Sequence, residues 1–110
     1  MKVENTQAQM RKGILEYCVL SILSKKESYP SDIIEELKNV EMIVVEGTLY
    51  PLMTRLKNAN LLDYRWEESP SGPPRKYYCL TNKGKDFLKA LKETWLTLKS
   101  AVEQLENNEL

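Results

Sequence analysis

Near the start of the chain the apolar residues Met10, Ile14, Cys18 and Ile22 recur at i, i+4, i+8 and i+12, with Leu15, Val19 and Leu23 in a second row. This spacing predicts a helix over about residues 7–24, with an apolar surface wider than one packed face needs. Lys25 and Lys26 suit the negative end of its dipole. Tyr29-Pro30-Ser31-Asp32 reads as a second helix start, because proline is tolerated and acids are favoured in a first turn. Ile33, Ile34 and Leu37, set against Glu35, Glu36 and Lys38, carry that helix to about Val40. The β-branched run Met42-Ile43-Val44-Val45 predicts a short strand.

A third helix is predicted over about residues 46–60, where Leu49, Leu52, Met53 and Leu56 fall at i, i+3, i+4 and i+7. Pro51 fits only near its first turn, where backbone N–H groups lack partners anyway. Residues 61–68 and 75–80, rich in Tyr, Trp, Leu and Cys, predict two strands joined by the loop Ser69-Pro70-Ser71-Gly72-Pro73-Pro74. Thr81 is a suitable N-cap for a last helix over residues 82–107. Within it Leu88, Leu91, Trp95, Leu98, Val102 and Leu105 step by three and four, a heptad seam that requires a partner.

Three helices, a strand hairpin and a long closing helix describe a mainly α chain with a small β-hairpin wing: a winged helix-turn-helix plus a C-terminal dimerisation helix. The expected division is a DNA-binding unit over residues 8–80 and a dimerisation helix over residues 81–107. In such modules the third helix enters the major groove. With its leucines buried, the opposite face presents Gly47, Tyr50, Pro51, Thr54, Lys57 and Asn58, with Thr48 and Arg55 at its flanks.

Composition narrows the function. With 42% apolar and 29% charged residues over 110 positions, the chain has the make-up of one folded domain. No apolar run approaches the ~20 residues that cross a bilayer, and the first residues lack a secretory h-region, so a cytoplasmic address is expected. There is no histidine, which removes the commonest general base and metal ligand. Cys18 and Cys79 are too few for a disulfide framework and are not spaced as ligands; they read as buried, inert thiols. No catalytic residue, metal or cofactor is expected.

The formal net charge of zero first argues against nucleic acid, whose binders usually carry a basic surplus. Its distribution reverses that. Residues 31–47 set Lys38 against Asp32, Glu35, Glu36, Glu41 and Glu46, whereas in residues 48–76 Arg55, Lys57, Arg65, Arg75 and Lys76 outnumber Asp63, Glu67 and Glu68. Neutrality is an average over unlike segments, and a local basic surface remains available.

The segments GTLYPLMTRLKNANLL (residues 47–62) and SGPPRKYYCLTNKG (residues 71–84) resemble the PadR family of winged-helix transcriptional regulators, in the short form with a single C-terminal helix. The likeness covers roughly residues 10–98. It departs at Asn60, where the family usually has glycine, and at Ser71-Gly72-Pro73-Pro74, which replaces a more arginine-rich wing tip. The resemblance implies a homodimeric regulator, expected to act as a repressor by occupying an inverted-repeat operator in duplex DNA. It implies DNA contacts by Thr48, Tyr50, Pro51 and Thr54, and phosphate contacts by Lys57, Arg75 and Lys76. It also permits a planar aromatic effector stacked on Trp95 at the dimer axis.

Plainer readings stand beside these. Tyr50 fits partly exposed packing, and Arg55 fits an intramolecular ion pair. Trp66 reads as a packing residue, and of Tyr77 and Tyr78 one should point inward. Lys25-Lys26-Glu27 reads as a solvated loop. The alternative function is a winged-helix protein-interaction module without DNA binding, favoured by the acidic pair Glu67 and Glu68 beside the wing.

Overall fold

The computed structural model describes residues 1–107. Its order is α1 (Val3–Lys25), α2 (Pro30–Asn39), α3 (Glu46–Asn58), β1 (Leu62–Ser69), β2 (Gly72–Leu80) and α4 (Asn82–Asn107). The strands pair antiparallel, with Leu62 opposite Leu80 and Tyr64 opposite Tyr78.

The core follows the apolar rows. Leu15, Val19, Leu20 and Leu23 of α1 meet Ile33 and Leu37 of α2, the buried face of α3 (Leu49, Leu52, Met53, Leu56), and Leu61, Leu62 and Tyr78 at the base of the hairpin. The amino-terminal half of α1 takes no part: residues 1–13 are exposed throughout. The wide apolar surface of α1 is thus only partly covered by its own chain.

Local chemistry fixes the helix ends. The Asp32 carboxylate accepts the Tyr29 N–H at 3.0 Å, satisfying an orphan donor at the start of α2. Helices α2 and α3 close alike. At the end of α2 the Glu41 N–H donates to the Lys38 carbonyl and the Met42 N–H to the Leu37 carbonyl. At the end of α3 the Asn60 N–H donates to the Lys57 carbonyl and the Leu61 N–H to the Leu56 carbonyl. These are paired Schellman bonds, and they put Glu41 and Asn60 at φ 63°, in the left-handed region. Asn60, where the resemblance implies glycine, thus holds a left-handed position that asparagine tolerates better than most L residues.

Helix α4 is docked onto the end of α3. The Thr81 hydroxyl donates to the Asn60 carbonyl at 2.6 Å and accepts the Gly84 N–H at 2.9 Å, so Thr81 caps α4 as the sequence predicts. The Lys83 ammonium adds a bond to the Ala59 carbonyl at 3.1 Å.

Three sequence expectations are corrected. Residues 42–45 form no strand but an irregular connection between α2 and α3. β propensity reflects fit to a paired, half-buried surface, and among the described residues no strand pairs with this run. The hairpin's strand-like neighbour is instead Ser28, which exchanges backbone bonds of 3.0 and 2.9 Å with Tyr78. Strand β2 begins at Gly72 rather than Arg75, so the loop shrinks to Pro70 and Ser71. Prolines are compatible with the outer edge of a two-stranded hairpin. Helix α3 also starts at Glu46 and runs through Pro51, so the proline lies past the first turn. The carbonyl that its missing N–H leaves without a partner is that of Gly47, an exposed residue that water can reach.

Candidate nucleic-acid interface

Burying Leu49, Leu52, Met53 and Leu56 turns Thr48, Tyr50, Pro51, Thr54 and Arg55 outward. Tyr50 is 46% exposed. The Thr54 hydroxyl donates back to the Tyr50 carbonyl at 3.1 Å, which steadies this face along its own helix.

One flank of the face borders the wing. Tyr50 and Thr54 share a concavity of about 500 Å³ with Tyr29, Pro30 and Ser31 at the start of α2 and with Trp66, Pro74, Arg75 and Lys76 of the hairpin. The wing cations rest on aromatic rings. Lys76 lies 4.6 Å from the Tyr64 ring centre and 5.5 Å from that of Trp66. Arg75 lies 5.4 Å from the Tyr29 centre, and Lys57 approaches Tyr64 from α3 at 5.7 Å. Rings hold cations by their negative faces without neutralising them, so the charges stay available to an anion while their side chains are ordered.

The acids near the wing are partly engaged. Arg65 bridges Glu67 at 2.8 Å and Glu27 at 3.2 Å, and its guanidinium lies 4.7 Å from the Tyr77 ring centre. Glu27 thus belongs to an ion-pair network rather than to a solvated loop. Tyr77 packs against Tyr29 in a tilted arrangement with ring centres 4.7 Å apart, while Tyr78 is the inward-facing partner, 5% exposed.

The residues expected to act together do not all meet in one place. Tyr50, Thr54, Arg75 and Lys76 converge on the wing-side concavity, with Lys57 beside it. Thr48 and Pro51 line the opposite flank, against Arg11 and Lys12 of α1 and with Arg55. Among the described residues Arg55 has no ion-pair partner, which corrects its reading as an intramolecular salt bridge. Trp66 is corrected too: it is 61% exposed, with its ring edge-on to Tyr64. Sequence reasoning missed Tyr29 and Ser31, because nothing in the order of elements says that the start of α2 reaches the wing.

A further hollow, about 220 Å³, lies between α1 and α4, lined by Ile14, Tyr17, Phe87, Leu91, Trp95 and Leu98 among others. Along the α4 seam Leu88 and Leu91 pack on the chain's own core. Trp95 is 39% exposed, and Leu98, Val102 and Leu105 are each more than half exposed.

Burial raises the Cys18 and Cys79 thiols above the ordinary range, and the Glu27 charge reinforces the effect at Cys79. Both therefore favour the protonated, poorly nucleophilic form. Among the described residues no group of His, Cys, Asp or Glu side chains is placed to hold a metal, and no helix is long and apolar enough to cross a membrane.

Known proteins share this arrangement. Residues 19–90 match the model of the transcriptional regulator PadR-like family. A PadR-like transcription factor from Bacteroides fragilis is 56% identical, with 92% of this chain and 98% of that chain covered and a TM-score of 0.78. A PadR family transcriptional regulator from Eggerthella lenta is 33% identical, with coverages of 94% and 90% and a TM-score of 0.86. A PadR-like transcriptional regulator from Bacillus cereus is 37% identical, with coverages of 88% and 95% and a TM-score of 0.77. The chain thus belongs to the PadR-like family of transcriptional regulators, which are DNA-binding regulators rather than enzymes.

Proposed function

We propose that the chain is a homodimeric repressor that occupies an inverted-repeat operator in duplex DNA. The observation that carries this reading is the convergence of Tyr50, Thr54, Arg75 and Lys76 on one open concavity between α3 and the wing. In the proposed complex α3 enters the major groove and presents Thr48, Tyr50, Pro51 and Thr54 to base edges and sugars. Lys57, Arg75 and Lys76 contact phosphates. Residues 8–80 act as the reading unit and residues 81–107 as the dimerising helix. The exposed seam of Trp95, Leu98, Val102 and Leu105 packs on its mate and on the partner's α1, so that its remaining apolar surface leaves water. A two-fold pair then sets the two α3 helices one DNA turn apart, about 34 Å.

The hollow beside Trp95 accepts a planar aromatic effector, which releases the repressor by altering the packing of α4. Binding is tested by titrating a duplex from the region upstream of the chain's own gene at several salt concentrations. The variant Lys57→Ala/Arg75→Ala/Lys76→Ala should bind more weakly and with a shallower salt dependence. Unchanged affinity and slope in that variant would exclude this surface.

A further inference from the structure

The outer face of α3 has two shoulders. Tyr50 and Thr54 form the row toward the wing, and Thr48, Pro51 and Arg55 form the row on the other side. This second row opens onto a concavity of about 480 Å³, lined from α1 by Arg11 and Lys12 and from the α2–α3 connection by residues 43–45. Among the described residues no acidic side chain lines it, and none of Arg11, Lys12 and Arg55 is in an ion pair. The wing acids, by contrast, are partly occupied by Arg65. All three cations are exposed, on apolar ground that includes Leu15 and Val44.

A helix seated in the major groove lies between two phosphate strands, across an opening about 12 Å wide. The wing cations Arg75 and Lys76 lie on one side of α3. We infer that Arg11, Lys12 and Arg55 form a second phosphate-binding cluster, which grips the backbone on the side of α3 away from the wing. This rests on the DNA-binding reading above and adds α1 to the interface. It also gives a role to the amino-terminal half of α1, which stays clear of the core while carrying two adjacent cations. Phosphate gripped on both shoulders fixes how α3 is centred in the groove, a positioning function distinct from base readout.

The test compares three proteins on one duplex of about 20 base pairs, two helical turns, taken from upstream of the chain's own gene. These are the wild type, Arg11→Ala/Lys12→Ala/Arg55→Ala, and the wing variant Lys57→Ala/Arg75→Ala/Lys76→Ala. The α1-side variant should bind at least about tenfold more weakly at low salt, and its salt slope should shrink by about 0.9 for each phosphate it no longer neutralises. The charge-keeping variant Arg11→Lys/Arg55→Lys should retain the wild-type slope. An unchanged thermal melt establishes that the surface variants remain folded. If the wing variant weakens while the α1-side variant keeps wild-type affinity and slope, the second cluster is overturned and the DNA-binding reading stands. A wild type that binds no duplex overturns both.

Discussion

The backbone of Gly84 lies against the carbonyl of Leu61 so closely that a Cβ would run into that oxygen, with the Leu80 side chain crowding from another side. The first turn of α4 and the segment leaving α3 therefore share one contact, flanked by the Thr81 bonds to Asn60 and Gly84. Replacing Gly84 by alanine adds a methyl group where the obstacle is backbone and cannot rotate away. Gly84→Ala should destabilise the fold by about 1–3 kcal/mol, although alanine normally strengthens a helix. Chemical denaturation followed by circular dichroism checks this; an unchanged midpoint would refute the close docking.

The two left-handed residues offer the reverse outcome. At φ 63° the Cβ of Glu41 crowds its own backbone, and glycine would remove that penalty. Glu41→Gly should stabilise by about 1 kcal/mol, while Asn60→Gly should gain less because asparagine already tolerates that region. Urea midpoints of both variants, with unchanged denaturant slopes, provide the comparison.

These two residues also mark how far the sequence can be read. The helices, the hairpin and the α3 outer face follow from periodicity, because each buries one side against a common core. The C-terminal turn of α3 is visible in the sequence only as a departure at Asn60, whose reason lies in a backbone angle. Residues 42–45 have strand composition but, among the described residues, no strand partner, and Ser28 has a partner but no strand composition; pairing is a tertiary fact that neither segment encodes alone. Trp66 shares one side of its strand with Leu62 and Tyr64 yet stays exposed, because it lies past the edge of the core that buries Leu62. Likewise Arg11 and Lys12 read as ordinary helix charges until α1 is placed beside Thr48 and Pro51.

The two tryptophans lie in different places and should report different events. Trp66 borders the wing-side concavity, so adding operator duplex should change its emission in a Trp95→Phe background. Planar aromatic dyes should instead change the emission of Trp95, with micromolar or weaker affinity expected for a hollow of this size. Identical dye responses in the wild type and in Trp95→Ala would exclude the effector site.

The exposed α4 seam gives an assembly test. Leu98→Glu/Val102→Glu places like charges at facing seam positions of the proposed dimer. Sedimentation should find a monomer for this variant and a dimer for the wild type. Operator affinity should fall by several orders of magnitude as the two half-sites cease to be held together, while the melt of the remaining fold changes little. A variant that stays dimeric would place the interface elsewhere.

The chain has no histidine, so stability should be flat between about pH 6 and pH 8. Burial raises the Tyr78 phenol, with Tyr64 and Tyr50 adding to the effect, and burial likewise raises the Cys18 thiol. The native state thus holds these protons more tightly than the unfolded chain. Their contribution is fully present below the unfolded-state values and disappears as pH rises through the folded ones. Urea midpoints measured into the alkaline range should decline, and Tyr78→Phe should remove part of that decline.

The paired bonds between Ser28 and Tyr78 tie the wing at its root, since both backbone groups of a fully buried serine are committed to the strand. The hairpin is consequently not a free arm that must be found and fixed by its target. The span from the start of α2 to Arg75 and Lys76 is set before any encounter. Fixing a residue's backbone costs about 1–2 kcal/mol, and here most of that cost falls on folding instead of on association. In the proposed complex a nearly neutral chain would thereby hold a polyanion with few charges, because those charges arrive already aimed.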